Sequence, residues 1–157
     1  MSKSPAAALE VGKRAPAFSA ETDTGKKVAL KDFAGKFVVL YFYPKDDTPG
    51  CTKEACAFRE EFAAIKKKRA VILGVSVDSV KSHEKFVKKY KLPFPLLSDP
   101  DKEIVMAYQV WGEKTFMGRK YHGTHRRTFL IGPDGRIKKI WDKVKPETHA
   151  TEVLAAL

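Results

Sequence analysis

Cysteine is scarce in this chain of 157 residues, which contains only Cys51 and Cys56. Two cysteines do not make the dense disulfide framework of a small secreted protein, and their spacing is not the Cys-x-x-Cys of a thioredoxin-type dithiol. The sequence has no apolar run of about 18 residues, so it predicts no membrane-spanning helix. Glu10 interrupts the apolar run 6–9, which is too brief for the core of a signal peptide. We therefore expect a cytoplasmic protein whose thiols are normally reduced.

Acidic residues are also in short supply, because 30 Lys and Arg face 19 Asp and Glu for a formal net charge of +11. A basic excess is one mark of nucleic-acid-binding proteins. The basic residues here are scattered along the chain, however, and no zinc-finger spacing or aromatic RNA-binding motif accompanies them. The charge pattern therefore predicts a solvated basic surface and no nucleic-acid partner.

No linker or internal repeat divides the sequence, and the length suits one domain spanning residues 1–157. Apolar runs predict two buried strands, and between them apolar residues recur at helical spacing from Pro49 to about Lys68. This order implies a right-handed crossover between parallel strands. The core strands are 37–43 and 71–77, hairpins join 18–20 to 28–30 and 128–131 to 137–141, and helices are expected at 82–90, 103–110 and 147–157.

These elements predict an α/β protein with a central mixed sheet flanked by helices and an N-terminal β-hairpin. The segment 94–97 is interpreted as too short and too rich in proline for a central strand.

Cys51 falls where the first core strand gives way to a helix. Pro44 ends the strand, because proline cannot donate to a sheet ladder. Thr48 followed by Pro49 is typical of a helix start, with Thr at the N-cap and Pro at the first helical position. Cys51 is then the third helical residue, where unpaired N–H groups and the helix dipole stabilise a thiolate. This position predicts a reactive thiol.

The pattern Pro44-x3-Thr48-x2-Cys51 resembles the active-site signature of the peroxiredoxins. The stretch from residue 41 through Cys51-x4-Cys56 is similar to the peroxiredoxin Q, or bacterioferritin comigratory protein, branch. The resemblance continues at residues 12–18, 111–114 and 123–131, and so covers nearly the whole chain. It implies a thioredoxin-like fold, reduction of hydrogen peroxide and organic hydroperoxides, thioredoxin or a similar dithiol as reductant, and a monomer without a cofactor.

The resemblance also implies roles for individual residues. Cys51 is the nucleophile, and Arg126 is the cation that stabilises its thiolate and binds the peroxide oxygens. Arg126 is expected to share a strand face with Thr128, which turns the neighbouring Arg127 to the opposite face.

Two further residues of the signature complete the expected site. The Thr48 hydroxyl orients the thiolate and the peroxide, and Pro44 shields the pocket from water. Glu54, one helical turn after Cys51, is a possible member of the hydrogen-bond network.

Cys56 is the only other thiol, and so it is the candidate that condenses with a Cys51 sulfenic acid to form a disulfide. In a regular helix, residues five apart have Cα atoms roughly 8–9 Å from each other, whereas a disulfide tolerates about 7 Å at most. The helix must therefore unwind locally on each turnover.

Several alternatives stay open. His122 and His125, together with the two cysteines, raise the question of a zinc site, although no metal is expected. His125 is also the candidate base of an acyl-transfer enzyme with Cys51 as nucleophile. A thioredoxin-fold binding or chaperone module with a vestigial cysteine, or a one-cysteine peroxidase resolved by an external thiol, would also fit the pattern.

Overall fold

The computed structural model describes residues 9–157, so the Ala6–Ala8 part of the N-terminal apolar run lies outside the described residues. The helices are α1 Pro49–Lys67, α2 Val80–Tyr90, α3 Glu103–Ala107 and α4 His149–Ala155. The strands are β1 Ser19–Thr22, β2 Lys27–Ala29, β3 Phe37–Phe42, β4 Ala70–Ser76, β5 Leu96–Ser98, β6 Trp111–Phe116, β7 Arg119–Thr124, β8 Arg127–Ile131 and β9 Ile137–Trp141. No helix within residues 9–157 combines the length and apolar character needed to cross a membrane.

Seven of these strands form one mixed sheet in the order β2-β1-β5-β4-β3-β8-β9. The β3–β4 and β4–β5 pairs are parallel, and the remaining pairs are antiparallel. The parallel β3–β4 pair with α1 between its strands confirms the predicted crossover unit, and both predicted hairpins are present. The mixed sheet with its helices confirms the predicted α/β class.

Strand β3 lies in the interior of the sheet, between β4 and β8, and is buried on both faces. Val39 and Tyr41 face α1, which packs onto them through Ala55 and Phe58. The alternate residues of β3 face the opposite cluster around Tyr108. Because both faces are covered, the strand is a continuous apolar run rather than an alternating one. This double burial fixes the end of β3, and therefore the start of α1, within the core.

The expectation for residues 94–97 was wrong, because Leu96–Ser98 forms β5 between β1 and β4 inside the sheet. Pro93 and Pro95 precede the strand, so neither removes a ladder hydrogen bond from it. Leu96 is fully buried and pairs with Gly74. A Cβ at Gly74 would lie 2.7 Å from Leu96 Cδ2, so glycine lets β5 and its side chains approach closely.

Helix α3 ends at Ala107, earlier than the predicted residue 110, because Gln109 adopts a left-handed φ of 58°. The following residues form a hairpin of β6 and β7 that the sequence did not predict. Met117 and Gly118 at its tip both have positive φ, as a two-residue hairpin turn requires. Helix α4 begins at His149, two residues later than predicted.

Candidate active site

The turn from β3 to α1 carries three of the predicted site residues, which are Pro44, Thr48 and Cys51. Pro44 is half-buried just after the strand, and Thr48 takes the N-cap position of α1 with extended φ and ψ of −99° and 155°. The Thr48 hydroxyl does not cap the helix but donates to the carbonyl oxygen of Lys45 at 2.8 Å. The backbone N–H groups of the first turn, including those of Gly50 and Cys51, therefore have no intrahelical acceptor. They form a positive site beside the thiol.

Arg126, immediately before β8, reaches the thiol of Cys51 from the adjoining strand. Its Nη2 donates to Cys51 Sγ at 3.3 Å, and its Nη1 donates to Glu54 Oε1 at 2.7 Å. The Cys51 side chain is buried at 1% relative exposure. The structure therefore brings together a buried thiol, a guanidinium and a carboxyl group, although the first two are 75 residues apart in sequence.

The strand register separates Arg126 from its neighbour. Arg127 turns to the other side, where it donates to the carbonyl oxygen of Gln109 and pairs with Asp142 at 3.2 Å. Thr128 is buried, and its Oγ1 lies 2.7 Å from His149 Nε2. This is the alternation that the sequence predicted for the pair of arginines.

Gly50 gives Arg126 the room to reach Cys51. A Cβ at position 50 would lie 3.2 Å from Arg126 Nη2, the atom that donates to the thiol, and 3.8 Å from Pro146 Cγ. A side chain at position 50 would press against the guanidinium. Glycine within the first turn lowers helix propensity. Gly50 therefore weakens the start of α1 but leaves room for the contact between Arg126 and Cys51.

Glu54 is fully buried beneath the arginine, with no relative exposure. Burial raises the pKa of Glu54 to about 7, and the nearby charge and hydrogen bond of Arg126 only partly oppose that rise. Burial alone would lower the pKa of Arg126, but Glu54 and Cys51 raise it above the ordinary value. Arg126 therefore stays charged, whereas Glu54 titrates near neutral pH. In the sequence, the spacing of three residues between Cys51 and Glu54 was the only sign of this network.

Cys56 lies on the same unbroken helix as Cys51, and both thiols are free. Cys56 is half-buried, whereas Cys51 is buried. The structure therefore does not bring the two sulfur atoms together, as expected for residues five apart in a regular helix.

The two histidines near Arg126 do not complete a catalytic or metal site among the described residues. His122 is exposed on β7 opposite Glu113. His125 packs beside Gly112, and burial, with the charges of Arg127 and Lys114, lowers its pKa. Within residues 9–157, the His, Cys, Asp and Glu side chains that approach closely enough to share a metal ion are those of Asp46, Asp78 and His83, which exclude both cysteines.

Lys114 of β6 is a neighbour of the site that sequence reasoning missed. Its Nζ donates to the carbonyl oxygen of Thr124 at 3.0 Å. Burial and the charge of Arg126 lower the pKa of Lys114, while Cys51 raises it. The hairpin thus adds a second cation on the Arg126 side, and no local motif indicated its placement because the hairpin itself was not predicted.

The chain is similar in sequence and in fold to known proteins. The sequence matches the AhpC/TSA family over residues 11–140. It is 47% identical over 149 residues to peroxiredoxin Bcp of Bacillus subtilis, with 95% of each chain covered. A cysteine-to-serine variant of PrxQ from Xylella fastidiosa superposes with a TM-score of 0.90 at 38% identity over 96% of each chain. The bacterioferritin comigratory protein of Xanthomonas campestris superposes with a TM-score of 0.84 at 43% identity over 88% of each chain.

Proposed function

Because the chain belongs to the AhpC/TSA family, and within it to the peroxiredoxin Q or bacterioferritin comigratory protein branch, we propose that Cys51 reduces peroxides and Cys56 resolves the product. The thioredoxin-like fold and the thiol peroxidase activity are those of its relatives. The observation that supports Cys51 as the nucleophile is the 3.3 Å contact between Arg126 Nη2 and Cys51 Sγ at the start of α1.

In the first step, the Cys51 thiolate attacks one oxygen of the peroxide. The S–O bond forms as the O–O bond breaks, so Cys51 becomes a sulfenic acid and the other oxygen leaves as alkoxide or hydroxide. Arg126 and the first-turn N–H groups of α1 stabilise this developing negative charge, as the donors of an oxyanion hole do. A proton from the surroundings then completes the alcohol or water.

Two loop residues complete the peroxide pocket. The Thr48 hydroxyl has its proton committed to the carbonyl oxygen of Lys45, so its oxygen is available to accept a hydrogen bond from the O–H of a peroxide. Pro44 is half-buried at the end of β3 and shields the thiolate from water. Glu54 holds the guanidinium of Arg126 from below.

In the second step, the Cys56 thiol attacks the sulfenic sulfur, which forms a disulfide and releases water. The first turns of α1 unwind to allow this contact, since an intact helix keeps the two residues too far apart. Thioredoxin or a similar dithiol then reduces the disulfide by thiol–disulfide exchange.

The proposed substrates are hydrogen peroxide and organic hydroperoxides. The bacterioferritin comigratory protein of Xanthomonas campestris is described with alkyl peroxide reduction activity, which supports organic hydroperoxides among the substrates here. Both cysteines belong to one chain, so a single-domain monomer suffices for the cycle. In a reducing cytoplasm, both cysteines would be kept in the thiol form that the cycle requires at its start.

A steady-state peroxidase assay with a thioredoxin system tests this function on the wild type, Cys51→Ser and Cys56→Ser. We expect Cys51→Ser to lose turnover while staying folded. Cys56→Ser should consume a first equivalent of peroxide and then stall. Appreciable turnover by Cys51→Ser would overturn the assignment of the nucleophile, and no peroxide consumption by the wild type would favour a binding module.

A one-cysteine peroxidase is the second candidate, and the placement of Cys56 favours it. Cys56 is half-buried in an unbroken helix, out of reach of Cys51. If α1 does not unwind, an external thiol must reduce the sulfenic acid instead. Full turnover of Cys56→Ser with an added monothiol, at the wild-type rate, would establish this alternative.

A further inference from the structure

Side chains of α2 hold the loop that carries Pro44 and Thr48. Asp46 Oδ2 accepts a hydrogen bond from Ser82 Oγ at 2.8 Å and lies 2.6 Å from His83 Nδ1. The next residue, Asp47, accepts from Lys89 Nζ and from the Tyr90 hydroxyl, each at 2.8 Å. Asp46 is therefore hydrogen-bonded to the first turn of α2, and Asp47 is hydrogen-bonded to its last turn.

His83 is the buried centre of this attachment, with no relative exposure. Its Nε2 lies 2.8 Å from the carbonyl oxygen of Leu97, which only accepts, so Nε2 carries a proton. Its Nδ1 faces the Asp46 carboxyl group, whose other oxygen accepts from the Tyr43 hydroxyl at 2.5 Å. A hydrogen bond between Nδ1 and Oδ2 holds the pair together, and removing either partner costs the other a buried hydrogen bond.

The cluster around His83 is a closed hydrogen-bond network rather than a metal site. Asp78 supplies the third side chain, and its Oδ2 already accepts from Ser76 Oγ at 2.6 Å and from the Asp46 N–H at 2.9 Å. Both nitrogens of His83 and both oxygens of Asp46 are also committed. A cation would have to displace hydrogen bonds of His83 and Asp46.

The start of α1 contrasts with this fixed loop. Its N-cap hydroxyl makes no cap bond, its first turn contains Gly50, and no acidic residue there complements the helix dipole. Beyond the two cysteines, Arg59 Nη1 donates to the carbonyl oxygen of Tyr90 at 2.6 Å, again on α2. The weakly capped segment with Cys51 and Cys56 thus lies between two attachments to the same helix.

We propose that His83 is a positioning residue for the peroxidase reaction: through Asp46 it keeps the loop 44–48 in its peroxide-binding position while residues 51–58 unwind and rewind. The proposal rests on the proposed function, since it assigns a role within that cycle. It separates a fixed part of the site, which binds peroxide, from a mobile part, which carries the two sulfurs.

Three variants test the positioning role by stopped-flow oxidation of Cys51. His83→Leu takes the imidazole away from the Asp46 carboxyl group, the double variant Asp46→Ala with His83→Leu removes both partners, and Glu84→Gln changes an exposed neighbour on α2. We expect the second-order rate constant with hydrogen peroxide to fall about tenfold in the first two variants, because a small misplacement of the pocket is costly. Disulfide formation should keep its wild-type first-order rate, and Glu84→Gln should match the wild type.

The double variant separates positioning from stability. Replacing both members of a buried pair removes the carboxylate that His83→Leu leaves without its imidazole, although the Tyr43 and Ser82 hydroxyls then lose the Asp46 acceptor. The double variant should therefore regain part of the melting temperature that His83→Leu loses, but none of the rate constant. Recovery of the rate together with the melting temperature would make the pair merely structural and overturn the proposal. A wild-type rate constant in His83→Leu would overturn it equally.

Amide hydrogen exchange tests the proposal on the wild type without any variant. The reduced protein is compared with protein oxidised to the disulfide by diamide. Residues 51–58 should lose protection on oxidation, while the Asp46 N–H, which donates to Asp78, should keep it. Loss of protection at Asp46 equal to that at 51–58 would contradict a fixed loop. Failure to form any Cys51–Cys56 disulfide would instead contradict the proposed function, and the rate constants for Cys51 oxidation would still test His83.

Discussion

At the scale of single residues, the two adjacent arginines make a matched pair for testing the site. Arg126 donates to Cys51 and Glu54, whereas Arg127 pairs with Asp142 on the other side of the strand. Arg126→Ala should lower kcat/KM by about 10²–10³, as the loss of one oxyanion donor does. Arg127→Ala should stay within about threefold of the wild type, since a partly exposed ion pair contributes little. The reverse result in a peroxidase assay would assign the site to the wrong arginine.

Glu54 gives the protein a pH dependence of stability whose sign follows from its pKa. Burial raises that pKa from 4.5 to about 7, so the folded protein binds more protons than the unfolded chain between these values. The contribution of Glu54 to the free energy of unfolding is therefore complete below pH 4.5 and is lost as the pH rises through 7. The loss approaches about 3 kcal/mol.

Urea unfolding at several pH values measures this effect. Glu54→Gln should flatten the decline in stability between about pH 5 and pH 8, while Glu60→Gln, an exposed change on the same helix, should leave it unchanged. An unaltered decline in Glu54→Gln would mean that another group titrates with folding.

At the scale of elements, the sequence predicted what local chemistry determines. The N-terminus of α1 was placed from Thr48 and Pro49 because caps and first-turn prolines act within a few residues. The interior strand β5 was missed because its stability comes from neighbours distant in sequence. The hairpin of β6 and β7 was missed because its strands are mostly exposed and polar, and so lack a run of buried apolar residues. Arg126 was found only through the family motif, since nothing local marks an arginine that reaches a thiol 75 residues away.

The hydrogen bonds between the loop 44–48 and α2 were missed in the sequence for the same reason as Arg126, because they join residues that are distant in sequence. His83 lies within a lysine-rich amphipathic helix and carries no local signal of its contact with Asp46, 37 residues earlier. The topology brings the two side chains together, because β3 and β4 are adjacent parallel strands and α2 begins soon after β4 ends.

Helix α1 should change content with the redox state of the protein. Both cysteines lie in its first three turns, and a disulfide between them is incompatible with regular helix geometry. Far-ultraviolet circular dichroism should therefore show less helix after one equivalent of peroxide and recovery after reduction. Cys56→Ser should show no such change, and an undiminished signal in the oxidised wild type would show that α1 stays wound.

At the scale of the whole molecule, one chain contains every group that the proposed cycle requires before the reductant. Arg126 lies just before strand β8 of the sheet, and both thiols lie on α1. Side chains of α2 bind the loop that joins β3 to α1. Disulfide formation should therefore be first order, with a rate constant that does not change over a hundredfold range of protein concentration. A rate proportional to concentration in stopped-flow experiments would mean that the resolving thiol comes from a second chain.

The disulfide itself tests the central claim most directly. One equivalent of hydrogen peroxide is added to the reduced wild type, and the protein is alkylated, digested without reduction and analysed by mass spectrometry. The account predicts an intramolecular Cys51–Cys56 disulfide in the wild type, and sulfenic followed by sulfinic acid at Cys51 in Cys56→Ser. Finding only Cys51–Cys51 dimers, or oxidised Cys51 beside an unmodified Cys56 thiol in the wild type, would contradict it.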